Sequence, residues 1–194
     1  MIEWISNNII EIIGAILAFL YLILEVFRKW TMWIVGIISS AFYVYIFFDA
    51  KLYAEMGMNF YYVIMSFYGL YCWKFAKANE EGNNEFHNIS SKLTGKLSLI
   101  GIILLVFMVL ILKKFTDSPV PFSDALVATF SIIATWMAAK KIVECWYLWI
   151  FVNFYAIGLY ITQHLYPTAV LYVFYGVLSI VGLIEWRKSI PKKE

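Results

Sequence analysis

Asn59, Tyr62, Ser66, Gly69 and Trp73 fall at i, i+3, i+7, i+10 and i+14, and 113 residues later Tyr172, Tyr175, Ser179, Gly182 and Trp186 keep the same spacing. Both sets lie inside otherwise apolar segments, so polar and aromatic residues recur at helical intervals within hydrocarbon-like sequence. A hydrophobic helical unit that occurs twice restricts the chain to a duplicated bundle, an arrangement that holds a solute between its halves. On this reading residues 145–188 repeat residues 30–74. Pairing Trp30 and Trp33 with Trp146 and Trp149 gives an upstream offset of 116, which makes the connecting loop of the second copy three residues shorter.

A chain that is 63% hydrophobic and 14% charged has too little polar surface to cover a water-soluble globule of 194 residues. It is expected to be an all-α integral membrane protein. No cleavable leader is recognisable at the N-terminus, where Met1 to Asn8 carries Glu3 and no basic residue. A spanning helix needs about 20 apolar residues, and seven segments qualify: 9–27, 31–48, 55–76, 96–113, 122–139, 144–163 and 166–186. Period-two alternation, the mark of an outer-membrane barrel, is lacking. Seven spans put twelve basic residues on one side (Arg28, Lys29, Lys74, Lys77, Lys92, Lys96, Lys140, Lys141, Arg187, Lys188, Lys192 and Lys193) and only Lys51, Lys113 and Lys114 on the other. The positive-inside rule then predicts an N-terminus outside and a C-terminus in the cytoplasm. Those basic residues mark helix ends and topology, not nucleic-acid binding. Cys72 and Cys145 belong to no metal-ligand spacing and read as reduced packing residues.

Three regions follow: a first three-helix repeat over 1–78, a cytoplasmic loop and linker helix over 79–115, and a second three-helix repeat with a short tail over 116–194. Asn79 to Lys92 is rich in loop formers and is expected to be mobile. Helix 4 is almost purely aliphatic and serves as an inverting spacer between two parallel repeats, the three-plus-one-plus-three plan of SWEET-like transporters. Pro119 and Pro121 are expected to stop one helix, and Ser123 or Asp124 to cap the next.

Candidate binding residues are those whose polar atoms fall inside spans. Trp146, Trp149, Asn153 and Tyr160 share one face of helix 6. A buried amide needs a partner, so Asn153 faces the bundle interior, either as a ligand hydrogen bond beneath a Trp platform or as a plain interhelical contact. Trp33, Ser40 and Tyr43 form the corresponding stripe of helix 2, and Asn59, Tyr62 and Tyr175 complete the candidate set on helices 3 and 7. Trp30 and Trp146 also suit an interfacial belt, as do Tyr53, Tyr61, Tyr71, Tyr147 and Tyr166. Ser66, Ser179, Gly69 and Gly182 read as small residues for close helix packing.

Glu25 beside Arg28 and Lys29, Glu185 beside Arg187, and Glu144 beside Lys140 and Lys141 read as helix-end charges that pair locally or meet water. Asp49, Glu55 and Asp124 lie at the outer face, where they could draw in a cation. No acidic or His residue stands at mid-membrane, as gradient coupling would require. Phosphate-loop, HExxH and GxSxG motifs are absent, and His87 and His164 fall in loops on opposite sides. Neither an enzyme nor a metal or cofactor site is expected.

Trp146-x-x-Trp149-x-x-x-Asn153, with Ile38-Ser-Ser-Ala-Phe-Tyr43, Lys51-Leu-Tyr53 and Tyr68-Gly-Leu-Tyr-Cys-Trp73, resembles the PnuC family of bacterial vitamin transporters over nearly the whole chain. The resemblance implies a bacterial inner-membrane homotrimer of SWEET-like fold that moves an unphosphorylated vitamin by facilitated diffusion, with trapping by a cytoplasmic kinase. It also implies that Trp146, Trp149 and Asn153 line the site. The short termini are more similar to the thiamine-transporting branch, with nicotinamide riboside as the alternative cargo. Both cargoes are flat heteroaromatic cations, suited to Trp and Tyr faces. An intramembrane enzyme or an interaction subunit are the other classes. The first needs a paired nucleophile and base that the sequence does not supply, and the second would spend its polar residues on helix contacts and leave no cavity.

Overall fold

The computed structural model describes residues 9–49, 53–75, 85–116, 118–162, 164 and 166–191. The expected positions of Lys51, Lys77, Lys192 and Lys193 and the 79–84 part of the 79–92 loop lie outside them. Seven α-helices account for the described chain: α1 Ile9–Val26, α2 Met32–Asp49, α3 Tyr53–Leu70, α4 Ser91–Phe115, α5 Pro121–Ala139, α6 Cys145–Thr162 and α7 Tyr166–Arg187. A π-helical turn, Tyr71–Phe75, continues α3. Among the described residues there is no strand, only an isolated parallel bridge between His87 and Ile142.

The helix ends show how the sequence enforces the bundle. After α1, Arg28 takes φ 58°, Lys29 N–H reaches back to the Leu24 carbonyl at 2.9 Å, and Arg28 N–H donates to Glu25 at 3.0 Å. After α5, Lys141 takes φ 58°, with Ile142 N–H donating to Met137 at 2.9 Å and Lys141 N–H to Ala138 at 3.0 Å. Each is the hydrogen-bond pattern of a Schellman stop, made without the glycine that usually relieves the left-handed residue. Two of the expected ends shift. Ser90 caps α4, accepting from Leu93 N–H at 3.3 Å, so the helix begins five residues before the apolar run. Pro121 opens α5 as a first-turn proline instead of stopping a helix. Ser123 bonds Tyr155, and Ser118 links Val120 N–H to Asp124.

Five helices (α2, α4, α5, α6 and most of α7) are each long and apolar enough to cross a membrane. In α1 the apolar stretch is the shorter Ile16–Val26, and α3 is diluted by tyrosines and Asn59. Leu99, Ile102 and Leu110 on α4, with Phe154 and Phe174 on α6 and α7, are each more than half exposed. Such apolar surface suits hydrocarbon, not water. Helices α1, α2 and α3 pack in sequence, as do α5, α6 and α7, while α3 against α5 and α1 against α7 close the bundle. Helix α4 leans on α5 and contributes no buried residue.

Candidate functional site

A cavity of about 310 Å³ is lined by residues from both helix triplets. Ala18 and Tyr21 come from α1, Gly36, Ser39, Ser40 and Tyr43 from α2, Asn59, Tyr62 and Ser66 from α3, Thr135 from α5, Trp149 from α6 and Tyr175 from α7. No Asp, Glu, Lys, Arg or His is among these lining residues. Four tyrosines and one tryptophan supply ring faces, and four hydroxyl side chains with one amide supply directional hydrogen bonds. The Trp149 Nε1–H is buried without a partner, an open donor beside the cavity. A larger hollow of about 570 Å³ between α4, α5 and α6 is walled almost wholly by carbon and offers little to orient a polar solute.

Of the sequence candidates, Ser40, Tyr43, Asn59, Tyr62, Trp149 and Tyr175 line this cavity. Trp33 and Trp146 do not. Both are fully buried at the end of the bundle that carries Arg28, Lys140 and Arg187, packed over glycines: a Cβ at Gly69 would stand 2.4 Å from the Trp33 ring, and one at Gly182 would stand 2.4 Å from Trp146. Asn153 donates its amide to the Ser179 hydroxyl at 2.9 Å, which in turn donates to the Tyr175 carbonyl at 2.8 Å. Asn153 is thus tied to the helix that presents Tyr175. Tyr160, on the same helix, packs against Tyr172 with the rings tilted at 49°.

Sequence reasoning missed Ala18, Tyr21, Gly36, Ser39 and Thr135, and assigned Ser66 to packing alone. One signal would have found Gly36. Trp33 meets Trp73 edge-on at 5.9 Å, and Trp146 meets Trp186 edge-on at 5.4 Å. The equivalent of Trp33 is therefore Trp146, at the same offset of 113 as the rest of the motif, not Trp149 at 116. The two left-handed stops, Arg28 and Lys141, obey the same offset. No loop is shortened between them. At this register Trp149 matches Gly36 and Asn153 matches Ser40, which draws α2 residues into the site.

Of the helix-end charges, Glu185 pairs locally as expected, with Lys188, but Arg28 does not pair with Glu25. Glu25 is buried, and its Oε1 has no hydrogen-bond partner; Arg28 pairs across the bundle with Glu185 at 3.8 Å and bonds Ser189. Glu185 also binds Lys188 at 2.6 Å, and Arg187 donates to Tyr147 instead. Glu144 accepts from Ile89 N–H at 2.9 Å. Tyr61 is no loose anchor, since its hydroxyl donates to the Ile132 carbonyl at 2.8 Å and ties α3 to α5. At the turn after α5, a hydrogen bond with Tyr68 holds the Lys140 pKa up, while partial burial pulls that of Lys141 down.

Residues 8–188 match the family model described as nicotinamide mononucleotide transporter. The chain belongs to the PnuC family. A nicotinamide riboside transporter PnuC of Escherichia coli strain K12 is 22% identical, across 93% of this chain and 85% of the relative. One from Neisseria mucosa is 28% identical, across 84% of this chain and 66% of the relative. The crystal structure of a vitamin B3 transporter PnuC superposes with a TM-score of 0.75 at 23% identity, covering 97% of this chain and 84% of that one. The PnuC family consists of membrane transporters, not enzymes.

Proposed function

We propose that this PnuC-family chain takes up unphosphorylated nicotinamide riboside by facilitated diffusion, in a bacterial inner membrane. The observation that carries the proposal is the cavity itself, aromatic and hydroxyl-lined, walled by both triplets and without a charged side chain among its lining residues. A pyridinium ring gains from Trp149 and the tyrosine faces, and ribose hydroxyls and a carboxamide find partners in Ser39, Ser40, Asn59 and Thr135. Relatives carrying the riboside name weigh for this cargo over thiamine, which the short termini had favoured.

The mononucleotide in the family model's description is a poorer fit. Burying a phosphate without a cation costs several kcal/mol, and no Lys or Arg lines the cavity. The same exclusion makes kinase trapping effective, because the phosphorylated product cannot re-enter. We further propose that α1–α3 and α5–α7 are parallel repeats rocking about this cavity, with α4 as the inverting link. The uniform offset of 113 and the matched α1–α7 and α3–α5 seams support this. A homotrimer and an outside N-terminus, the latter supported by the twelve-to-three basic split, complete the proposal. Proteoliposomes loaded with a nicotinamide riboside kinase and ATP test it. Labelled riboside should accumulate and labelled thiamine should not, even with a thiamine kinase inside; the reverse preference would return the thiamine reading.

A further inference from the structure

We infer that the segment 85–90 is a releasable strap that wedges Phe86 between Trp73 and Trp186 and so latches the basic end of the cavity shut. The inference rests on the transporter reading for its consequence, but its geometry stands apart from the cargo. Trp73 Nε1–H donates to the Ala138 carbonyl at 3.2 Å, across the α3–α5 seam, and Trp186 Nε1–H donates to the Glu25 carbonyl at 2.9 Å, across the α1–α7 seam. Donors and acceptors are both related by 113 residues, so one bond closes each seam. A solute leaving by this end must part both.

Phe86 touches both tryptophans at once, edge-on to Trp73 at 5.6 Å and to Trp186 at 4.9 Å, where the two indoles are themselves 5.7 Å apart. Its backbone is pinned to the turn after α5. His87 N–H donates to Lys141 at 3.2 Å, and Val143 N–H to His87 at 3.1 Å, while Ile89 N–H reaches Glu144. The part of the loop expected to be mobile is therefore a docked element. Beneath it the closed layer carries a cost: Trp33 and Trp146 Nε1–H groups are buried without partners, and water entering an open seam would satisfy both. A closed state with two unpaired donors, held by a short peripheral segment, is poised between two arrangements.

Cys145 sits fully buried in this layer and serves as the reporter. In a Cys72→Ser background, Phe86→Ala should speed Cys145 modification by N-ethylmaleimide about tenfold, the scale of two lost edge-to-face contacts, while size-exclusion behaviour and melting temperature in detergent persist. Unchanged labelling would overturn the inference, as would a faster rate accompanied by a collapsed melting temperature, which signals unfolding. Separately, His87→Cys with Ile142→Cys, in a chain whose Cys72 and Cys145 are replaced by Ser and Ala, should form a disulfide across the bridge. Oxidation should stop riboside exchange across liposomes without abolishing binding, and reduction should restore it; exchange at the reduced rate while oxidised would overturn the strap. Cys145 labelling needs no cargo. A wild-type chain that fails to bind riboside therefore sinks the cargo proposal and leaves this test standing.

Discussion

Trp149 follows Gly36 by 113 residues, the offset of the repeated motif, and the difference between them makes the cavity lopsided. A Cβ at Gly36 would stand 2.7 Å from the Ser66 hydroxyl and 3.0 Å from the Tyr21 ring, so that side holds two helices close, while the other supplies a stacking face and an unpartnered N–H. Trp149→Phe should keep much of the face and lose the donor, weakening riboside binding by about 1 kcal/mol, and Trp149→Ala should cost about 1–3 kcal/mol, roughly five- to hundredfold. Calorimetric titration of the purified variants checks this. Wild-type affinity in Trp149→Ala would move the site elsewhere. Asn153 calls for a different comparison, because its amide is bonded to Ser179. If it acts by placing Tyr175, Asn153→Ala and Ser179→Ala should lower stability and affinity alike, with a coupling near 0.6 kcal/mol in the double variant. A loss of binding confined to Asn153→Ala would assign it direct ligand contact.

At the scale of elements, the tightest joints are the two Trp-on-glycine contacts between helices of the same triplet. Added methyl groups there have nowhere to go: Gly69→Ala and Gly182→Ala should each destabilise the bundle by about 1–3 kcal/mol, read as a lowered melting temperature in detergent. Gly57→Ala meets nothing within 4 Å and should be neutral or stabilising by up to about 1 kcal/mol through helix propensity. Equal effects at all three positions would refute this packing account. Helices of this kind are legible in sequence because a span is long and apolar, and all seven were placed within a few residues except at α4, whose first turn Ser-Lys-Leu-Thr-Gly is polar. Register was harder. Two tryptophans three residues apart allow either pairing of Trp33, and only the contact with Gly69 and Trp73 decides between them. Half of the cavity was legible for the same reason: polar residues in spans stand out, but Gly36, Ala18 and Thr135 acquire meaning only when the two triplets face each other. Proximity along the chain suggested Arg28 as one partner for Glu25, whereas the left-handed turn sends Arg28 across to α7.

For the molecule as a whole, a cavity without charged lining residues implies selectivity for charge state. Nicotinamide mononucleotide should bind at least about a hundredfold more weakly than the riboside, since an uncompensated buried anion costs several kcal/mol, and competition binding would show it. Comparable affinities would require a cation within reach of the cavity. Among the described residues Glu25 is the one buried carboxyl; it lies in the last turn of α1 and does not line the cavity, so a proton held there need not travel with cargo. The central claim is therefore passive carriage through the shared cavity, with accumulation supplied only by trapping. The most direct measurement compares riboside uptake into liposomes with and without an encapsulated kinase and ATP, each under an imposed proton or sodium gradient. Kinase-free vesicles should equilibrate and no more, and kinase-loaded vesicles should accumulate label whether or not a gradient is present. Concentrative uptake driven by either gradient in kinase-free vesicles would contradict the account and point to Glu25 as the coupling group.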